Sequence, residues 1–186
     1  MVTVDEGDYR ALQSLGSLYT GVMRDIVLIA HNLRSCHNVG SLLRTADGLG
    51  VTKVYLTGYT PYPKQKDDVR LPHIATKIHK QIQKTALGAE ETVAWAHDPD
   101  IMNVIEALRA GAYTVAGLEQ TPESVDLTKW SPTPKIALVV GRETEGIEPE
   151  VLKACDLALE IPMLGKKESF NVVQAAAMGL YHCRFR

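Results

Sequence analysis

Cysteine is scarce in this chain: it has three, Cys36, Cys155 and Cys183. An odd number without paired spacing argues against a disulfide framework and points to a reducing compartment. No CxxC, no HExxH and no run of histidines at ligand spacing occurs, so no metal site is expected. The apolar runs are too short to cross a bilayer. The polar, acidic N-terminus lacks a signal-peptide core, and a cytoplasmic protein is expected. An excess of basic charge is also missing: 20 Lys and Arg stand against 22 Asp and Glu, a formal net charge of -2. No global field draws nucleic acid to such a chain, so any RNA binding must use local patches, a dimer surface or another subunit. GxGxxG after the first strand, GxxxxGK[ST] and GxSxG are all absent, which argues against dinucleotide, P-loop and serine-hydrolase chemistry. There is no internal repeat, low-complexity segment or domain linker.

What is present is an ordinary globular composition, 45% hydrophobic and 23% charged over 186 residues. Asp25–Ala30 (DIVLIA) reads as a buried parallel strand, ending in a polar loop at His31–Asn38. A helix from about Val39 to Leu49, closed by Gly50, leads to a strand at Thr52–Thr57. Gly58–Pro72 is a loop, and the basic segment His73–Lys84 is in part helical. Glu91–Ala96 is ambiguous between strand and helix. A helix starts at Asp98–Pro99 and ends near Gly111, followed by a strand at Ala112–Gly117 and a polar loop at Leu118–Pro134. Ile136–Val140 and Asp156–Ile161 are strands, separated by a short helix at Pro149–Lys153. Ser169 is placed to cap a last helix over Val172–Tyr181, which is almost uncharged and so should be buried on most sides. Asp5–Leu18 supports a short leading helix at best. Alternating strands and helices predict an α/β fold, a mostly parallel sheet with helices on both faces. Residues 1–24 are expected to be a short N-terminal extension and residues 25–186 a single domain.

Ligands in such sheets sit at the carboxyl ends of strands. Four ends here combine small residues with polar groups: Asn32–Ser41 followed by Arg44, Gly117–Glu119, Gly141–Gly146, and Ile161–Asn171. Glu143 and Glu145 would repel phosphate, so the third loop suits a neutral or cationic ligand better. Each residue also has a plain use. Arg44 can be a solvated helix position, Glu143 can cap the helix that follows, and Asn32, Asn38 and Asn171 can form turns. Lys64, Lys66, Arg70, Lys77, Lys80 and Lys84 can be a solvated loop.

Taken together, Asn32 with NVGSLLRTA (Asn38–Ala46), LVVGRETEGI (Leu138–Ile147) and IPMLGKKESFNVVQAAA (Ile161–Ala177) resemble the three ordered motifs of the SpoU/TrmH-like branch of the SPOUT superfamily. These are trefoil-knotted RNA ribose 2′-O-methyltransferases. The resemblance covers nearly everything from Asp25 onward. It implies an S-adenosylmethionine donor, a tRNA or rRNA substrate, a homodimer and a deep C-terminal knot, with no membrane partner. By position it places Arg44, Asn32, Glu143, Ser169 and Asn171 in catalysis. Leu118, Gly141, Ile161, Met163 and Phe170 fall at the donor. Asn32 and Asn171 would orient Arg44 and the loop, and Glu143 would hold the third motif or oppose the sulfonium. Val173 departs from the family's usual serine. With about two dozen residues before the first strand, substrate choice is expected to rest on the Gly58–Lys84 loop, the leading helix and the dimer partner. The alternatives are a base-methylating enzyme of the same fold and a non-catalytic RNA-binding scaffold.

Overall fold

Strand β1 (Asp25–His31) alternates its side chains between two separate cores. Ile26, Leu28 and Ala30 enter one core, and Val27 and Ile29 enter the other. Both rows are fully or nearly fully buried, so β1 must be covered by helices on both faces. A computed structural model describes residues 24–186. The expected leading helix and most of the expected N-terminal extension lie outside the described residues.

The order of elements after β1 is α1 (Cys36–Gly48), β2 (Lys53–Thr57), α2 (Pro72–Ala86), a single turn α3 (Ala89–Thr92) and β3 (Trp95–Asp98). Then come α4 (Ile101–Ala110), β4 (Thr114–Leu118), a two-residue strand β5 (Val125–Asp126) and β6 (Lys135–Val140). The chain finishes with α5 (Pro149–Ala154), β7 (Leu157–Glu160) and α6 (Val172–Phe185). The seven strands form one sheet in the order β3-β2-β1-β6-β4-β7-β5, and every pairing is parallel. Two late strands, β6 and β7, slot between neighbours laid down earlier. Helices α1, α2 and α6 cover the Ile26/Leu28/Ala30 face, and α4 and α5 cover the Val27/Ile29 face. No helix among the described residues is long and apolar enough to cross a membrane.

Local chemistry sets several boundaries differently from the sequence reading. Helix α1 starts at Cys36 because Ser35 is its cap, its side chain accepting from Asn38 N at 3.2 Å. Helix α4 starts at Ile101, not at Asp98–Pro99. Asp98 is still paired in β3, and Asp100 caps by accepting from Met102 N at 2.9 Å. The ambiguous Glu91–Ala96 segment is divided between α3 and β3. The Leu118–Pro134 loop contains β5 and a 3-10 turn at Leu127–Lys129.

Helix α6 corrects two expectations. Its cap is Asn171, which accepts from Val173 N at 2.9 Å, and not Ser169. An Asn directly before the helix reaches the free N–H groups, whereas Ser169 lies two residues too early. Only one face of α6 is buried, through Ala176, Gly179, Leu180 and Cys183, because a sheet can cover just one stripe of a helix. Tyr181, 60% exposed, and Phe185, 48% exposed, pack against each other as a tilted ring pair with centroids 4.7 Å apart on the other face. They border an apolar groove of about 660 Å³ with Leu127, Ile161, Pro162, Ala177 and Met178.

Helices α1 and α2 meet closely at Gly40. A Cβ there would lie 2.3 Å from both the Ile82 carbonyl and the Thr85 hydroxyl. Gly40→Ala is therefore expected to lower stability by about 1–3 kcal/mol through overpacking. Urea denaturation measures it, and an unchanged midpoint would contradict the close crossing.

Candidate active site

Strands β6, β4 and β7 are neighbours, and their carboxyl ends open a cleft of about 190 Å³. Leu118, Val140, Leu159 and Ile161 form its apolar wall. Ser169 and Phe170, from the segment leading into α6, and the turn Gly141–Gly146 close it. Its charged lining is one-sided: Glu119, Glu143, Glu145 and Glu160 against Arg142 alone. An apolar wall with a carboxylate-rich rim favours a ligand that is part apolar and part cationic.

The turn is tight. Arg142 and Gly146 exchange both backbone hydrogen bonds at 3.1 Å. Gly146 has φ +70°, and a Cβ on it would sit 2.1 Å from Glu119 Oε2. Glu119 needs that space, since it accepts from Ile147 N at 2.9 Å and Gln120 N at 3.0 Å. One carboxylate thus ties the end of β4 to the turn after β6.

Glu143 reaches the opposite way. Its carboxylate accepts from Arg34 N and Ser35 N, both at 3.2 Å, and from Asn38 Nδ2 at 3.0 Å. It therefore holds the loop before α1. It neither caps the following helix, whose N-cap is Glu148, nor bonds the Ile161–Asn171 segment. Burial alone would raise the Glu143 carboxyl, but these N–H donors and its own backbone overcome it and hold the group below its ordinary value.

Behind this turn lies a second polar knot of side chains. Asn32 adopts φ 55°. Its Nδ2 donates to Glu148 Oε1 at 2.8 Å and lies 3.0 Å from His31 Nε2, while its Oδ1 accepts from Tyr59 N at 3.1 Å. An amide nitrogen only donates, so His31 Nε2 accepts. Nδ1–H then donates to Thr57 Oγ1 at 2.8 Å, which makes the ring neutral. Burial pushes the His31 imidazole below its ordinary value and Arg142 adds to this, outweighing Glu148 and Asp100. Glu148 lies 3.5 Å from His31 on one side and 3.5 Å from Arg142 Nε on the other. Burial would raise its carboxyl, but Asn32, its own backbone, His31 and Arg142 together hold it low.

The residues expected at the site divide as follows. Leu118, Gly141, Ile161, Phe170, Glu143 and Ser169 line the one cleft. Met163 does not. Asn171 is next in chain to Phe170 and caps α6. Asn32 sits beside the cleft, but all three of its amide partners are His31, Tyr59 and Glu148, so it does not orient Arg44. Arg44 is exposed on α1, with no hydrogen bond or ion pair to any described residue. Glu119, Arg142, Glu148 and Glu160 belong to the constellation; the first two lay in strand ends named from sequence but were given no role there, and the last two were not singled out. Glu119 was readable as the first polar residue after β4. Glu148 was not, since it meets Asn32 across 116 positions.

An all-parallel α/β sheet with its cleft at three adjacent strand ends defines the class of the fold. More particularly, the chain belongs to the SpoU rRNA Methylase family, whose profile matches residues 25–181. A Staphylococcus saprophyticus protein of the TrmH family of tRNA/rRNA methyltransferases is 30% identical over 155 residues. That match takes in 83% of this chain, which spans 56% of the length of that relative. The AdoMet-bound rRNA methyltransferase of Sinorhizobium meliloti shares the fold with a TM-score of 0.71 at 20% identity, over 86% of this chain and 56% of that one. A solved RNA 2′-O ribose methyltransferase shares it at 0.70 and 23%, over 89% and 57%.

His31, Glu143 and Glu148 all have folded values below their ordinary ones, so each contributes stability that is lost on acidification. The loss is expected to begin as pH falls below about 6.5, where unfolded His31 takes up its proton. It deepens below about 4.5, where unfolded Glu143 and Glu148 do. Glu148→Ala should cost about 1–3 kcal/mol by leaving Asn32 and Arg142 short of partners, with Glu148→Gln milder. Thermal unfolding against pH checks both, and a Glu148→Ala variant as stable as the parent would contradict the network.

Proposed function

We propose that the chain is an S-adenosylmethionine-dependent methyltransferase acting on a ribose 2′-hydroxyl of tRNA or rRNA. The observation that carries this reading is the cleft at β4, β6 and β7, which gathers Leu118, Gly141, Ile161 and Phe170 from three separate segments. Family membership supports it, as does the fold shared with proteins described as an AdoMet-bound rRNA methyltransferase and an RNA 2′-O ribose methyltransferase.

The residues present fit the donor. A Cβ at Gly141 would lie 2.6 Å from Gly146 and Ile147 backbone atoms, so glycine here lets the turn close tightly at the edge of the cleft. The carboxylate rim suits a cation. When bound, S-adenosylmethionine supplies an electrophilic methyl group on a sulfonium. Leu118, Gly141 and Ile161 would hold the donor, mainly through backbone groups. Phe170, 38% exposed at the mouth, would cover an apolar part of it, with Met163 beyond.

The reaction also needs the hydroxyl positioned, its proton removed and the developing oxyanion stabilised. Arg44 is assigned to the RNA phosphate and that negative charge. It is not the base, since arginine stays protonated in proteins, and a phosphate paired with it would take the proton. Ser169 is assigned to the acceptor side of the cleft. Glu143 acts by holding the Arg34–Asn38 loop against the turn, and Asn32 by bracing the same loop through Glu148. Asn171 fixes where α6 begins.

The single chain leaves Arg44 and the outer face of α6 uncovered. A homodimer burying the Met178–Tyr181 face would cover the apolar groove, and the active form is assigned as that dimer, in the cytoplasm. The family's trefoil knot is part of the same proposal. Contacts of α6 with distant loops support it: His182 Nε2 lies 2.8 Å from Trp130 O, and Arg184 bonds Leu49 O at 2.9 Å and Gly50 O at 2.6 Å.

Calorimetric titration with S-adenosylmethionine is expected to show saturable binding. Tritiated methyl groups should be recovered on ribose after nuclease digestion of treated RNA; recovery on a base would overturn the ribose assignment. Arg44→Ala should lose at least about 100-fold in methyl transfer with donor binding unchanged. Full activity in that variant would sink the role given to Arg44.

A further inference from the structure

Helix α2 carries a stripe of positive charge that the cleft does not use. Its sequence, PHIATKIHKQIQKTA, contains no Asp or Glu. His73, Lys77, Lys80 and Lys84 are all exposed. Their spacing of four, three and four residues keeps them on one line along the helix, about 16 Å long at 1.5 Å per residue. The opposite face buries Ala75, Ile82 and Ala86, and the helix packs against α1. The stripe is thus the outer surface of a seated helix, and its lysines have no hydrogen bond or ion pair to any described residue. In a chain with a net charge of -2, this is a local concentration of one sign.

The stripe leads toward the site. Thr85 Oγ1, next to Lys84, donates to the His37 carbonyl at 2.8 Å, in the first turn of α1. Gly40 brings the two helices together at the same place. Arg44 lies one helical turn further along α1. At the other end, Arg70 ties together the Tyr62–Arg70 part of the loop before α2. Arg70 lies over the Tyr62 ring at 3.5 Å, bonds Tyr62 O at 3.0 Å and Pro63 O at 3.2 Å, and pairs with Asp68. His97 stacks on Tyr62 at 4.0 Å. Arg70 is therefore occupied in shaping the loop, while Lys64 and Lys66 are exposed on it.

We infer that the His73–Lys77–Lys80–Lys84 face of α2 is a track for an RNA phosphate backbone, carrying the substrate across α2 toward the start of α1 and Arg44. The inference rests on the RNA-directed reading above. An acid-free line of lysines gives a sequence-independent contact that positions a strand without reading bases.

The test is fluorescence anisotropy with labelled unfractionated bacterial tRNA, between about 50 and 200 mM salt. The triple variant Lys77→Gln, Lys80→Gln, Lys84→Gln is compared with the parent chain and with Lys129→Gln, Lys153→Gln on distant surfaces. Loss of three phosphate contacts should reduce the slope of log affinity against log salt by about 2 to 3. Affinity near 0.1 M salt should fall on the order of 100-fold. Donor titration of the triple variant should match the parent, which shows that it is folded. A triple variant with the parent's slope and affinity would overturn the track and leave the methyltransferase reading standing. The distant double variant losing as much would also overturn it, by making the effect one of total charge. Polyglutamate binding that the triple variant loses while tRNA affinity holds would overturn it in favour of an acidic protein partner. A parent chain that binds donor but neither tRNA nor rRNA would overturn the track and the RNA reading together.

Discussion

Insertion of β6 between β1 and β4 is the constraint on which the site depends. Ile136, Ala137, Leu138 and Val139 are fully buried, and β6 is hydrogen-bonded along both edges. A strand so placed has no freedom of register, because a slip by one residue would exchange its two buried faces. Its register carries Gly141–Gly146 to a fixed height between the ends of β1 and β4. Two carboxylates of that connection, Glu143 and Glu148, then reach back to the loop after β1, and Glu119 reaches in from β4. The three strand ends are bound to one another by carboxylates accepting N–H groups, bonds that are stronger than their neutral counterparts.

The same arrangement explains how charge is distributed. The carboxylates around the cleft are spent on backbone N–H groups, on the Asn38 and Ser124 side chains and on Arg34 and Arg142, so they shape the rim as much as they charge it. Cations gather elsewhere, on the exposed line of α2 and at Arg44 on α1. Proposed donor and proposed substrate thus meet surfaces of opposite sign. A net charge near neutrality is what remains when both are summed, which is why composition alone argued against a nucleic-acid field.

Much of this was legible in residues. The β-rich runs DIVLIA and IALVV marked buried parallel strands, and the glycines and polar residues after them marked the ends that form the cleft. Gly141, Ile161 and Phe170, taken from two motifs, and Leu118, from a strand end outside the motifs, do line one cleft. Boundaries were less legible where two caps competed. Asn171 displaced Ser169, and Asp100 displaced the Asp98–Pro99 start, because the cap is decided by which oxygen reaches the open N–H groups. The partners of Glu143 were misjudged, since a short loop can turn toward either neighbour and only the packed sheet decides which.

The amino-acid sequence by itself determined the alternation of strands and helices, the two-sided burial of the sheet and the identity of the loops at its carboxyl edge. Periodicity and turn chemistry are local properties, and local properties are written in order along the chain. Tertiary structure alone decided the strand order, the Asn32–Glu148–Arg142 network and the meeting of α1 with α2 at Gly40. It also decided that a last helix almost without charge over Val172–Tyr181 buries one face and leaves the other open. Those outcomes join residues as far apart as Asn32 and Glu148, 116 positions, and Leu49 and Arg184, 135 positions, and nothing local encodes which distant groups will face each other once the sheet has closed.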